Sequence, residues 1–458
     1  MKNSRADVHR NTFAIPKLRF EDQKLTSFSG LIVFQKLFTV LKLNVRLRRC
    51  FSHLGVTPIF GHARIILLLV VHFLIGFRQL RDVQYYKDDP IVKRVLGLNH
   101  LPDVATISRT LASSDTRSVE SFQRLVREIV QERIASMGLA RVTIDFDGST
   151  LGTGRFAEGT AVGFNRKKKG QRSYYPLYCT IAQTGQVLDV LHRSGNVHDS
   201  NGAMAFIKKC VKAVRLALPG VLVEVRMDSA FFSDEIIQML TSEGIEFTVS
   251  VPFERFPELK GKIESQSQWD RVNSEIDFFE ENWKPQSWRR SFRFLFVRKT
   301  VKKKQKKPIQ LNLFVPSEDG YEYKVVITNK TMGAGRIVAF HNGRGSQEGI
   351  FAELKSHNQM DYIPTRTWVG NKLYLLSTIL AHNLTRELQM IANPPERKTT
   401  SKRPTLWIFT QLNPLRNRLI NRAGRLVRPN GKLTLAMSAN EAVQNELLHY
   451  LEALDQAA

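Results

Sequence analysis

RVTIDFDGST, residues 141–150, alternates apolar and polar side chains as a β-strand does, and it carries two aspartates. Successive side chains of a strand point to opposite faces. One face carries the apolar side chains Val142, Ile144 and Phe146, and the other carries Asp145 and Asp147. A half-buried strand with a solvated polar side has this pattern, and so does a strand that presents carboxylates to a ligand. The flanking sequence has to separate these alternatives.

Further strands and helices follow this stretch in the order βββαβαβ. They are the strands YYPLYCTIAQTG and QVLDVLHRSG, the helix SNGAMAFIKKCVKAVRLAL, the strand VLVEVRMDS, the helix SDEIIQMLTSEG and the strand IEFTVSVP. This order is that of a ribonuclease H-like core, which places the chain in the α/β class. Because the first and fourth strands of such a core are neighbours, we expect Asp147 and Asp228 to lie side by side.

Paired carboxylates of this kind suit divalent metal ions. Mg²⁺ prefers oxygen ligands, and two ions about 3.5 to 4 Å apart can stabilise both the attacking and the leaving oxygen of a phosphodiester. We therefore expect Mg²⁺ as the cofactor, with Mn²⁺ able to replace it.

The segment HNGRGSQEGIFAELKSH, residues 341–357, supplies a third acid. If it is helical, Arg344, Glu348 and Lys355 fall within an arc of about 40° on one face. That face would offer a carboxylate to a metal and two cations to phosphates. A solvated helix with an Arg–Glu pair four residues apart would look the same.

The composition favours a polyanionic partner. The 458 residues carry a net charge of +26, from 68 Lys and Arg against 42 Asp and Glu, and nucleic acid is the first candidate.

Three scattered cysteines indicate a reducing compartment rather than a disulfide framework. The 13-residue apolar run Ile65–Phe77 is shorter than the roughly 20 residues that span a membrane, so we expect a buried helix and no membrane contact. No signal peptide is apparent.

The ends of the chain differ from this core. Residues 1–138 are predicted to form an all-helical domain. They include DDPIVKRVLGLNHLPDVATISRTLAS, which resembles a helix-turn-helix with Arg109 on its second helix. Residues 397–432 carry ten Lys and Arg and no acid, which suits phosphate contacts. The last segment, SANEAVQNELLHYLEALDQ, is predicted to be an amphipathic helix that packs on the body or joins two protomers.

The motifs DFDGST, RMDSAFF and R-x3-E-x6-K together resemble the signature of bacterial insertion-sequence DDE transposases. GQRSYYPLYCTIAQTGQVLDVLHRSGNVHDSNGA, VVITNK and NKLYLLSTILAHNL are similar to the group with a β-rich insertion before the catalytic Glu. The similarity runs from about Val142 to Asn383. It implies five parts: a DNA-binding domain at 1–138, a core at 139–252 and 333–392, the insertion at 253–332, and a basic C-terminal region at 393–458.

The resemblance also implies roles for single residues. The catalytic and metal-binding triad falls on Asp147, Asp228 and Glu348, with Arg344 and Lys355 as DNA-binding cations. Asp145 is the rival for the first position, and the small residues after Asp147 favour Asp147.

His341 stands where the family has Tyr. As a phosphate contact, this histidine would have its pKa raised by the neighbouring anion. The alternative is that His341 only packs beside the catalytic helix. In the insertion, strands are predicted at 288–300, 309–316 and 321–330, with KKKQKK at 302–307 in a turn. Trp288 is a candidate to receive a flipped base, although most tryptophans of β-rich domains lie in the core.

The resulting expectation is a transposase that binds the terminal inverted repeats of its element as a homodimer on double-stranded DNA. It would cut the DNA and join the 3′-OH ends to a target, in the nucleoid of a prokaryotic cytoplasm. A hairpin intermediate is implied by the resemblance only. Two alternatives remain open: a structure-selective nuclease on the same core, and an inactive DNA-binding protein derived from a transposase.

Overall fold

The computed structural model describes residues 15–20, 24–55, 59–154, 156–163, 165, 168–198, 201–300 and 320–457. The predicted turn at 302–307 and the predicted strand at 309–316 lie outside these residues. The described chain combines many helices with one large mixed sheet, so the α/β class is confirmed at this level.

The N-terminal part is built mainly from helices. They are α1 (Leu31–Val40), α2 (Leu43–Cys50), α3 (His62–Ile75), α4 (Pro90–Leu96), α5 (Val104–Ala112) and α6 (Thr116–Met137). It is not entirely helical, because the short strand β1 (Leu25–Thr26) pairs with a strand near the C-terminus.

The pair of short helices in the helix-turn-helix-like segment is confirmed. Asp89 accepts hydrogen bonds from the backbone N–H groups of Ile91 and Val92 at the start of α4, and Asp103 caps α5 in the same way through Thr106. Such caps satisfy amides that have no partner inside the helix. Gly97, with φ +63°, ends α4. Arg109 lies exposed on α5.

Helix α3 contains the long apolar run, and nearly all of its side chains are buried inside the protein. The prediction of a buried helix is therefore confirmed. Among the residues that the structure describes, no helix is long and apolar enough to cross a membrane.

The described residues form a large mixed sheet of nine strands. The strands are β2 (Arg141–Gly148), β6 (Leu177–Ile181), β7 (Val187–Leu191), β8 (Leu222–Met227), β9 (Glu246–Val251), β10 (Asp270–Arg271), β11 (Ile276–Trp283), β12 (Phe292–Thr300) and β13 (Tyr321–Thr328). Their order across the sheet is β7-β6-β2-β8-β9-β13-β12-β11-β10. Strands β2, β8 and β9 are parallel, and β2 pairs directly with β8. The predicted adjacency of the two aspartate strands is confirmed. Three short strands, β3 (Leu151–Gly152), β4 (Ala161–Val162) and β5 (Arg172–Tyr174), form a separate small sheet.

One face of the large sheet is apolar. Helices α7 (Ala203–Ala217) and α8 (Asp234–Ser242) contribute buried residues to the same core as Ile144, Phe146 and Val225. Ser233 caps α8 by accepting a hydrogen bond from the N–H of Ile236. Both helices lie where the sequence predicted them.

Strands β11 to β13 extend the central sheet, because β13 pairs with β9. Their buried residues Phe279, Phe294 and Phe296 belong to the same apolar core as the central strands. The described part of the insertion is therefore β-rich, as predicted, and its core is continuous with that of the rest of the sheet. The short helix α9 (Pro257–Ser265) precedes these strands.

The remaining elements are helices α10 (Ala334–Asn342), α11 (Ser346–Ser356), α12 (Trp368–Ala392), α13 (Leu412–Leu415) and α14 (Glu441–Gln456), with strands β14 (Gly424–Val427) and β15 (Thr434–Met437). Helix α12 shares one apolar core with α1 to α6. Leu447, Tyr450 and Leu454 place α14 on this core, so the C-terminal helix packs on the body.

Because α12 shares one core with the N-terminal helices, we predict that truncating a single side chain of α12 destabilises the whole helical part. Leu380 is 0% exposed and belongs to this core. We expect Leu380→Ala to lower the free energy of unfolding by about 2–5 kcal/mol, because it leaves a cavity among packed helices. Urea denaturation measures this change. Leu216→Ala, at a side chain 68% exposed, is the control and should change stability by less than about 0.5 kcal/mol.

Candidate active site

Two aspartates lie at the carboxyl ends of the central parallel strands. Asp147 is near the end of β2, and Asp228 directly follows β8. In the register of the two strands Phe146 pairs with Met227, so both aspartates come next on the same edge of the sheet. Asp147 accepts hydrogen bonds from the N–H of Gly148 at 2.8 Å and from Nη1 of Arg344 at 3.2 Å. Asp228 accepts one from the N–H of Ala230 at 3.0 Å.

Asp145 has a different environment, one pleat deeper on the same face. Its side chain is 1% exposed and forms a two-pronged ion pair with the fully buried Arg226. The distances are 2.5 Å from Nε to Oδ1 and 2.7 Å from Nη2 to Oδ2. Because this pair engages both carboxylate oxygens, it favours Asp147 over Asp145 as the ligand that faces the edge of the sheet.

The signature cations reach the same edge from the following helices. Helices α10 and α11 are joined by a single 3-10 turn at Gly343–Gly345, so Arg344 lies in this turn. Arg344 contacts Asp147, and Nζ of Lys355 donates to the backbone oxygen of Thr150 at 3.0 Å. Both side chains therefore meet the end of β2. Glu348 lies exposed in the first turn of α11.

These residues provide part of a metal site. The strand-end carboxylates of Asp147 and Asp228 are the oxygen ligands that Mg²⁺ prefers. Across the described residues, no three His, Cys, Asp or Glu side chains are grouped closely enough to hold a metal ion. Asp147 and Asp228 could therefore supply part of the ligand set of a metal ion. The carboxylate of Glu348 does not lie close enough to both of them to complete it.

His341 is buried rather than open to a phosphate. Its ring nitrogens lie 3.0 Å from Oγ1 of Thr248 and 2.9 Å from Oγ of Ser250, both on β9. Burial, together with the charges of Lys324 and Arg344, holds the pKa of His341 well below its ordinary value. The ring is surrounded by protein and cations, which is the environment of a packed histidine, and a contact of His341 with a phosphate stays a prediction.

Trp288 also lies inside the protein. It is 6% exposed, stacks on Phe232 with ring centroids 4.8 Å apart, and belongs to the core of the large sheet. Trp288 therefore has the environment of a core tryptophan. That its ring receives a flipped base stays a prediction, and it requires the ring to leave this core.

A large cavity of about 1080 Å³ opens beside Asp228. Gly148, Ser149 and Thr150, which follow Asp147, form one wall. The cavity is also lined by the cationic side chains Arg78, Lys168, Arg255 and Lys355. Of these four, only Lys355 belongs to a motif that the sequence shows, because the others come from separate segments with no common motif.

A second cationic feature lies between α10 and the extended sheet. A cavity of about 530 Å³ there is lined by Lys299, Lys324, His341 and Asn342, among others. Burial and the charge of Arg344 lower the pKa of Lys324 to about 8. Lys324 lies at the same edge of the sheet as Asp147. No local sequence pattern in β13 indicates that this lysine is near the site.

The basic C-terminal region turns part of its charge inward. Arg403 donates to Glu224 at 2.9 Å, and Lys330 donates to the same carboxylate at 2.7 Å. Burial alone would raise the pKa of Glu224, but hydrogen bonds from Arg403 and the charge of Lys330 lower it to about 2. Arg416 donates to the backbone oxygens of Phe73 and Leu74. Arg403 and Arg416 therefore form hydrogen bonds inside the protein and do not contribute to an exposed basic surface.

The comparison with family models agrees with the motifs. The model of the family described as "Transposase DDE domain group 1" matches residues 15–458. A solved structure of the piggyBac transposase synaptic complex with hairpin DNA is similar, with a TM-score of 0.42 and 14% sequence identity. That similarity covers 85% of this chain and 79% of the other. No curated protein gives a significant sequence match.

The burial of His341 predicts a pH dependence of stability. A histidine whose native pKa lies below its unfolded value of about 6.5 stabilises the fold above that pH, and this contribution is lost as the pH falls below it. We expect His341→Gln to show a smaller loss of unfolding free energy between about pH 7.5 and pH 5 than the natural protein, because glutamine takes no proton in the unfolded chain. Urea denaturation at the two pH values measures it. Equal losses in both proteins would contradict a neutral, buried His341.

Proposed function

Because the chain belongs to the DDE transposase family, we propose that it cuts DNA at the terminal inverted repeats of its own element and joins the freed 3′-OH ends to target DNA. The observation that carries the proposal is the position of Asp147 and Asp228 on one edge of adjacent parallel strands, with Arg344 in contact with Asp147. Transposition proceeds by phosphoryl transfer, and paired carboxylates that can hold divalent metal ions suit this chemistry. We also propose that it acts on chromosomal DNA in a prokaryotic cytoplasm.

We propose a ribonuclease H-like core for the catalytic part. The order β7-β6-β2-β8-β9, with β6 and β7 antiparallel and β2, β8 and β9 parallel, supports it. In this core Asp147, Asp228 and Glu348 would hold Mg²⁺ or Mn²⁺. Bound divalent ions would supply Lewis-acid stabilisation to the attacking and leaving oxygens.

The protein's own cations would position the DNA strand. Arg344 and Lys355 lie at the end of β2, where they can contact phosphates on either side of the scissile bond. Arg78, Lys168 and Arg255 line the cavity beside Asp228 and would continue this track along the backbone. Two protomers, each holding one end of the element, would form the complex in which both ends are joined. The presence of all three acids argues against an inactive DNA-binding protein.

The assignment of the three acids is testable by isosteric substitution. We expect Asp147→Asn, Asp228→Asn and Glu348→Gln each to lower Mg²⁺-dependent cleavage of terminal-repeat DNA at least about 100-fold, more than the loss of an outer-shell partner costs. Binding of the same DNA should persist, because phosphate contacts remain. A gel assay of cleavage beside a mobility-shift assay measures both.

Asp270→Asn is the matched control, because Asp270 is an exposed aspartate on β10, the outermost strand, which β11, β12, β13 and β9 separate from β8 and β2. It should cleave at the natural rate. Full cleavage by any of the three triad variants would remove that residue from the metal site.

Recognition of the terminal repeat is assigned to the segment that contains α4 and α5. We expect Arg109→Ala to reduce discrimination between the terminal repeat and random DNA by about 1–3 kcal/mol, because it removes a contact to a base edge. Fluorescence anisotropy with both duplexes, at matched salt, measures the difference.

Deletion of residues 1–138 cannot serve as this test, because their apolar residues share a core with α12. Arg117→Ala, at an exposed arginine at the start of α6, is the control. An equal weakening of both duplexes by Arg109→Ala would assign Arg109 to the backbone and not to sequence recognition.

A further inference from the structure

Arg226 is the most deeply buried cation near the candidate active site, and its side chain is 0% exposed. Besides its two bonds to Asp145, Nη1 donates to the backbone oxygen of Phe340 at 3.0 Å and to that of Lys402 at 2.9 Å. The guanidinium also lies over the ring of Phe340, 5.3 Å from its centroid. Four of its five N–H groups therefore have protein partners.

Two of the partners, Asp145 and Phe340, belong to elements that carry or lead to residues of the site, whereas Lys402 lies in a turn of the C-terminal region. Asp145 precedes Asp147 by two positions on β2, and Arg226 itself precedes Asp228 by two positions on the adjacent strand. Phe340 lies in the last turn of α10, one helical turn before Arg344. The planar fork of one guanidinium thus joins the two aspartate strands to the helix that leads to Arg344 and Glu348.

Gly343 provides an independent sign of this close approach. A Cβ atom at Gly343 would lie 2.1 Å from Nη1 of Arg226 and 2.2 Å from the backbone oxygen of Lys402. The 3-10 turn just before Arg344 is therefore pressed against the guanidinium, and only glycine leaves room for both hydrogen bonds. Gly343 has helical backbone angles, φ −57° and ψ −23°, so glycine is needed here for space and not for its freedom of φ.

A buried ion pair is not required for stability alone, since well-packed apolar residues of similar volume often stabilise a protein equally well. What an apolar pair cannot do is hold two backbone oxygens at fixed angles. On the basis of the proposed function, we propose that Arg226 is a positioning residue, which sets Arg344 and Glu348 in register with Asp147 and Asp228 through Phe340 and Gly343.

The test uses the full-length protein and a duplex made from the DNA that borders the gene. Gly343→Ala, Arg226→Lys and the double variant Asp145→Leu with Arg226→Met are compared with the natural protein. For each we expect a 10- to 100-fold lower cleavage rate under saturating DNA, roughly the effect of losing an outer-shell partner. The Mg²⁺ concentration for half-maximal rate should rise, while the Kd for the duplex stays within about twofold and the circular dichroism spectrum is unchanged.

Two controls separate positioning from a general effect on the fold. Gly261→Ala changes a helical glycine that has open space around it, and it should leave cleavage unchanged. Arg133→Met with Glu387→Leu replaces another largely buried ion pair, between α6 and α12, and should also cleave at the natural rate.

A folded Gly343→Ala protein or a folded double variant with natural cleavage and natural Mg²⁺ dependence would overturn the inference. The proposed function would still stand in that case, because the natural protein would have cleaved the duplex. A natural protein that binds the duplex in Mg²⁺ and does not cut it would instead overturn the proposed function.

Discussion

The parallel pairing of β2 with β8 is the interaction on which the rest of the structure depends. It joins residues 81 positions apart, as the pair of Asp145 and Arg226 shows, and it brings two strand-end carboxylates to one edge. Like charges at that edge repel one another unless a cation or a metal lies between them. Arg344 meets one of them, and the buried ion pair one pleat deeper holds the strands in register.

A second constraint is the apolar core that the N-terminal helices share with α12 and α14. Because these helices bury their apolar faces against α12, the segment that we propose for DNA recognition is packed against the rest of the protein. Arg78, which follows α3, illustrates the consequence, since it lines the cavity beside Asp228 and forms an ion pair with Asp361 at 2.9 Å. Recognition and cutting would then be coupled through packing and not through a flexible linker.

The sequence was most informative where local periodicity decides the outcome. It located both aspartates at strand ends, the capped helices α4 and α5, and the strands on either side of residues 301–319. It was least informative where partners come from distant segments. His341 owes its burial to Thr248 and Ser250, which lie 93 and 91 residues away, and Trp288 owes its place in the core partly to Phe232. No pattern around either residue reports such neighbours.

By itself, the sequence determined which residues form strands and helices, which side chains share a face, and the motifs that identify the family, because these depend on periods of two and 3.6 residues and on local caps. Only the tertiary structure decided that Asp145 pairs with Arg226 while Asp147 faces the edge, and that Arg403 and Arg416 point inward. The physical reason is that burial and hydrogen-bond partners arise from contacts between elements far apart in the chain. Such contacts, and not residue type, set the charge state and the accessibility of each side chain.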